Sequence, residues 1–226
     1  MSELSRFSLR DHETLHRELV ERLVSDLRPV RRLWPLSLRL ALWTSLEVAV
    51  LLLIIAHTHR TDLAQKTHDL WYMFGIGGFG VAGVIAAYFA LRAAVPGREL
   101  YPAEVVLLLI VTLLFSLLLL HQPSDARLQL SQFIAVGKVC ALSVLMLAAL
   151  PWLALLWAVK RASPLSPGLD GALIGAAAFL CSFALMRLNC PIDDGLHLFM
   201  WHFLPAVLGI ALSAGAGMVL LRRETR

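Results

Sequence analysis

The sequence predicts an all-α integral membrane protein: six transmembrane helices behind a short cytoplasmic N-terminal helix. Three observations carry this expectation. Apolar residues make up 58% of the 226 residues and charged residues only 16%, against roughly 45–50% and 25% in soluble domains. Six apolar runs follow one another, near 36–56, 70–91, 102–120, 139–159, 168–188 and 196–221, each close to the ~20 residues that carry a helix across ~30 Å of hydrocarbon. No run alternates apolar and polar residues as a barrel strand would. A soluble enzyme and a disordered chain are therefore excluded. With three cysteines, a disulfide-stapled secreted domain is excluded as well.

Residues 1–35 are polar, and no apolar run precedes Leu36, which argues against a cleaved signal peptide. Their pattern predicts a helix from Ser8 to Arg28. Ser8 and Asp11 stand at capping-box spacing. Leu15, Leu19, Val20, Leu23, Val24 and Leu27 then recur every three or four residues as one apolar stripe, and Pro29 ends the run. The same 35 residues hold seven Arg against six acids. That balance lacks the cationic face of a surface-seeking helix and the basic footprint of a DNA-binding one. A leucine stripe among mixed charges suits a groove in a protein partner, with the inner leaflet as the competing surface.

Six spans put both termini on one side, and the basic residues choose it. Fifteen Lys and Arg lie on the terminal side, in the N-terminal segment with Arg39, after spans two and four, and in the tail; the opposite face holds Arg60, Lys66, Arg127, Lys138 and Arg187. By the positive-inside rule both termini are cytoplasmic. Trp34, Tyr101, Trp152 and Trp157 fit an inner aromatic belt, and Trp71 and Tyr72 an outer one. The net charge of +4 thus reflects topology, not nucleic acid. All connecting loops are short, so no catalytic domain sits between spans.

Within the spans, Glu47 is a mid-membrane carboxyl with no cation at matching depth, where a charge is costly and usually functional; a protonated carboxyl bonded within its helix is the competing reading. Arg39 is expected to snorkel to the inner surface. Gly75-Ile76-Gly77-Gly78-Phe79-Gly80 has the letters of a dinucleotide fingerprint, but no strand precedes it and it lies inside an apolar run. Close helix packing is the expected role of these glycines, as of Gly171, Gly175, Gly209 and Gly217.

The juxtamembrane Leu27-Arg28-Pro29-Val30-Arg31-Arg32-Leu33 resembles the corresponding signature of the NrsF-type membrane anti-sigma factors. Val95-Pro96-Gly97-Arg98, Pro164-Leu165, Cys140, Cys190-Pro191-Ile192-Asp193-Asp194 and Trp201 also match, so the resemblance runs from about Leu19 to the C-terminus. It implies a bacterial inner-membrane protein, not an enzyme, whose cytoplasmic N-terminus sequesters an ECF-type sigma factor until an envelope stress signal releases it. Leu19, Leu23 and Leu27 would then enter a groove of the sigma factor, with Arg28, Arg31 and Arg32 beside the membrane. The family's cysteine pair, associated with sensing, corresponds to Cys140 and Cys190. Asn189 stands where a His often precedes the second cysteine, and Gly195 where the loop usually holds Ser or Pro.

Topology places both cysteines towards the outer face, along with His57, His59, His68, His121, His197 and His202. Thiolate and imidazole together favour thiophilic metals, with Asp193 and His197 as further candidate ligands. Disulfide formation between Cys140 and Cys190 is the competing chemistry. No resident cofactor is expected; a metal would be the signal. Cys181, mid-span, is assigned to packing. The alternative reading is a histidine-rich multi-pass redox or metal-transport protein, in which the same histidines hold haem or metal.

Overall fold

A computed structural model describes residues 3–25, 32–119 and 129–222. The chain divides into two units, Met1–Leu33 and Trp34–Arg226. In the first, one helix, α1, spans Glu3–Ser25. It begins five residues before the expected Ser8, because no Pro or Gly between Glu3 and Ser8 breaks a helix. Leu15, Leu19, Val20, Leu23 and Val24 are all exposed, so the predicted stripe exists and lies open. Leu27, Arg28, Arg31 and the stop at Pro29 lie outside the described residues; Arg32 is exposed.

The second unit is a helical bundle: α2 Leu36–His57, a short α3 Leu63–Lys66, α4 Leu70–Ala93, α5 Pro102–Leu119, α6 Leu130–Lys160, α7 Pro167–Asn189 and α8 Gly195–Leu198. A π-helical turn at Phe199–Phe203 follows, and then α9 Leu204–Leu220. Five described helices, counting Gly195–Leu220 as one, are long and apolar enough to cross a membrane. The expectation was six. The apolar stretch of α5, Pro102–Leu118, is shorter than the rest, because the predicted run ends against residues 120–128, outside those described. At α6 the helix begins nine residues before the expected Val139, which adds Phe133, Gly137 and Lys138 to its N-terminal end.

Helix α7 is the centre of the bundle. About 78% of its apolar window is buried, against 22–44% for the other four long helices. Its small residues explain this, since without bulky side chains neighbouring backbones approach closely. A Cβ on Gly171 would stand 2.5 Å from the Ser213 carbonyl of α9, and one on Gly175 would stand 2.7 Å from Ser213 Cβ. Ser213 Oγ donates to Gly171 O at 2.6 Å and accepts from Trp152 Nε1 at 2.7 Å, tying α6, α7 and α9 together. On α4, Gly78 packs against Phe115, as expected, and Gly83, not singled out from the sequence, packs against Cys181. Gly75, Gly77 and Gly80 do not: a Cβ on any of them meets nothing within 4 Å.

Two side chains depart from their expected surface positions. Arg39 is only 9% exposed and donates to Leu91 O at 3.4 Å; that carbonyl belongs to the last turn of α4, which has no helical partner. Tyr72 is buried, its hydroxyl donating to Arg187 O at 2.8 Å, whereas its neighbour Trp71 is exposed as a belt residue should be.

Candidate functional site

Four side chains converge where α6, the end of α7 and the α8–π segment meet. Cys140 comes from α6 and Cys190 caps the C-terminus of α7. Asp194 starts α8 by accepting from the backbone N–H of His197 at 2.8 Å, which fixes His197 at the mouth of the helix. His202 follows in the π turn. In an α-helix, residues five apart stand ~140° apart around the axis. The wider π turn reduces that angle, and the two rings lie 5.3 Å apart at 71°.

The ligand atoms of Cys140, Cys190, His197 and His202 all lie within 4.8 Å of one another, and all four residues are buried. Cys140 Sγ is 3.7 Å from Cys190 Sγ, and Cys190 Sγ is 3.6 Å from His197 Nε2. A tetrahedral metal with Zn–S near 2.3 Å and Zn–N near 2.0–2.1 Å sets S···S at about 3.8 Å and S···N at about 3.6 Å, so the spacing suits a thiolate–imidazole centre. Both His202 ring nitrogens and His197 Nδ1 have no hydrogen-bond partner. Buried polar atoms left unpaired are costly, and a metal would engage His202. Cys140 and the His197 ring hydrogen-bond the Cys190 sulfur and hold its thiol well below the usual range, favouring the nucleophilic, metal-binding form. Phe133 and Trp201 wall the site; Phe133 meets both His197 and Trp201 edge to face.

Asp193 is not among these four. It belongs to a neighbouring ion network, paired with Arg60 at 2.9 Å, Lys66 at 2.7 Å and Arg187 at 3.5 Å. Arg60 is buried and also donates to Cys190 O at 3.1 Å and Pro191 O at 3.3 Å. Burial pushes the Asp193 carboxyl up, but hydrogen bonds from Arg60 and Lys66 outweigh it and hold the group below the usual carboxylate range. Asp62, bonded to Arg60, is likewise lowered. The two adjacent acids thus divide: Asp194 caps a helix and Asp193 anchors the strap that carries Cys190.

Cys140, Cys190 and His197 were candidate ligands from the sequence, whereas His202, named there only among the outer-face histidines, joins them in the structure. Its signal was present in the apolar setting of an imidazole, but only the π turn aims it at the thiols. His57, His59 and His68 are exposed and are not in the cluster, so the histidine-rich alternative loses these three of its six histidines; His121 lies outside the described residues. Cys181 is buried against Gly83 of α4, as a packing residue should be.

A family model described as NrsF, negative regulator of sigma F, matches residues 23–224. The chain belongs to the NrsF family. The match spans the whole helical bundle and the end of α1, and the family name makes the protein a negative regulator of a sigma factor. No curated protein and no solved structure matches the chain. The thiol–imidazole cluster therefore lies inside the part of the chain that defines NrsF membership.

Proposed function

We propose that this NrsF-family protein is a bacterial inner-membrane anti-sigma factor. It holds an ECF-type sigma factor through its N-terminal segment and releases it when Cys140, Cys190, His197 and His202 register an envelope signal. In this reading it is not an enzyme and has no resident cofactor. Helix α5 crosses the bilayer with the five longer helices, and both termini face the cytoplasm. The open stripe of α1, with Leu19 and Leu23, supplies the apolar contact, and Leu27, Arg28 and Arg31, which lie outside the described residues, are assigned with Arg32 to the same partner-binding segment.

The observation that carries the reading is the convergence of four buried ligand atoms within 4.8 Å. Two inputs suit them. A thiophilic metal binds both sulfurs and both imidazoles. Alternatively, a two-electron oxidant such as a peroxide takes two electrons and two protons from the thiols, leaving a Cys140–Cys190 disulfide. Either input pulls Cys190 towards α6 and loads the strap that Arg60 grips at the outer end of α2. Helix α2 leads back along the chain to the N-terminal segment. Release requires the ligand to bind the two states unequally.

The test pairs a sigma-dependent reporter with metal binding by the purified protein. Cys140→Ser and Cys190→Ser are expected to leave repression intact, abolish the response to thiol-reactive metals or oxidants, and lower metal affinity. Cys181→Ser is expected to change none of these. A normal response in the Cys140/Cys190 double variant overturns the assignment. Reporter fusions near residues 64 and 192 should read outside the cytoplasm, and fusions at residues 1 and 226 inside it.

A further inference from the structure

We propose that the groove around Glu47 binds the carbonyl head of a lipid-soluble quinone. Glu47 is the twelfth of the 22 residues of α2, so about 15–16 Å of helix separates it from either end, close to the bilayer midplane. It is only 8% exposed, and neither carboxyl oxygen has a hydrogen-bond partner. It lines a groove of about 460 Å³ together with Thr44 and Val48 of α2, Gly77 and Gly80 of α4, and Cys181 of α7. The other polar groups there are occupied: Thr44 Oγ1 donates to its own helix, and the Cys181 sulfhydryl lies 3.8 Å from Gly80 O. Glu47 is the unpaired one.

The shape of the groove comes from the glycines that the bundle does not use. A Cβ on Gly77 or Gly80 would meet nothing within 4 Å, so at these two positions, between Ile76, Val81 and Val84, the α4 wall leaves open space in the groove. Charge at this depth is expensive, which keeps the carboxyl neutral, with one O–H to donate. The occupant must therefore bring a hydrogen-bond acceptor to the midplane. Phospholipid ester carbonyls stay at the interface and do not reach it. A helix of a second copy has its own backbone groups bonded internally, so it brings no free backbone acceptor to the carboxyl. A quinone meets each requirement: a planar ring for the glycine wall, a carbonyl for the carboxyl, and an apolar tail that leaves along the groove into lipid. This site is independent of the thiol–imidazole cluster.

The test uses the full-length protein in detergent, loaded with decylubiquinone, passed through gel filtration and extracted to measure the quinone retained. Stoichiometric retention is expected for the wild type and for Gly75→Ala, which lies outside the groove and where an added Cβ meets nothing within 4 Å. A loss of about tenfold or more in affinity, about 1.4 kcal/mol, is expected for Glu47→Leu, which removes the donor, and for Gly77→Leu and Gly80→Leu, which fill the wall. Glu47→Gln keeps a donor and should retain quinone; it also stands in should the Leu variants fail to fold, when loss of retention in Gln would count against the site. No retention by the wild type, equal retention by Glu47→Leu, or displacement by excess phosphatidylcholine overturns the proposal. So does a Glu47→Leu variant that changes from dimer to monomer, since a second copy would then be the cover.

Discussion

Arg60 and Asp193 meet through two parallel hydrogen bonds, Nη1 to Oδ1 at 2.9 Å and Nη2 to Oδ2 at 3.0 Å. The pair joins the loop after α2 to the strap after α7, and the same guanidinium donates to the Cys190 and Pro191 carbonyls. Removing one partner of a buried pair leaves the other uncompensated, which costs about 3 kcal/mol. Arg60→Ala is expected to lower the melting temperature and to uncouple metal binding from sigma release. Arg60→Lys should restore part of each, because an ammonium cannot form the two-pronged contact. Full signalling in Arg60→Ala would show that the strap is not the link.

The pH dependence of that pair follows from the lowered Asp193 carboxyl. A carboxyl held below its unfolded value of about 3.9 stabilises the fold above that pH, and the contribution disappears as pH falls through the lower folded value. Acidification from pH 7 to pH 5 is therefore expected to leave the clasp closed, with loss only below about pH 4. Melting curves at pH 7, 5 and 3 check this; destabilisation already at pH 5 would contradict it.

His202 and Asp193 separate the two networks. Changes beside a metal site usually cost 10–100-fold in affinity, so loss of a direct ligand in His202→Ala should exceed about 100-fold, whereas Asp193→Asn should stay within about tenfold. Titration with Zn²⁺ or Cd²⁺ distinguishes them. Equal losses would place Asp193 in the coordination shell.

Leu19 and Leu23 test the partner surface. Replacing both with Asp puts charges into an apolar contact at about 2 kcal/mol or more per site. Constitutive sigma activity is expected while the protein remains in the membrane, read by fractionation and a reporter. Retained repression would move the contact elsewhere.

Gly171 tests the bundle. A Cβ there meets the Ser213 carbonyl, which is backbone and cannot swing aside. Overpacking of this kind costs about 1–3 kcal/mol, so Gly171→Val should lower the melting temperature, while Gly75→Ala, facing open space, should not.

The sequence by itself determined the helical, membrane-type bundle and the apolar stripe of α1, because composition and 3.6-residue periodicity are local properties. It also singled out Cys140, Cys190 and His197, whose residue types announce their chemistry wherever they stand. Tertiary structure decided what spacing along the chain does not encode. Cys140 and Cys190 are 50 residues apart and touch only because α6 packs on α7. The π turn brings His202 to the thiols, and Arg60 and Lys66 hold Asp193 in a separate ion network. Arg39 and Tyr72, which looked like surface residues, found unpaired carbonyls inside instead. The glycines of α4 show the same divide, since a small residue permits close packing but only the neighbouring helix determines whether the space is filled. At Gly78 and Gly83 it is; at Gly77 and Gly80 it is left open beside Glu47.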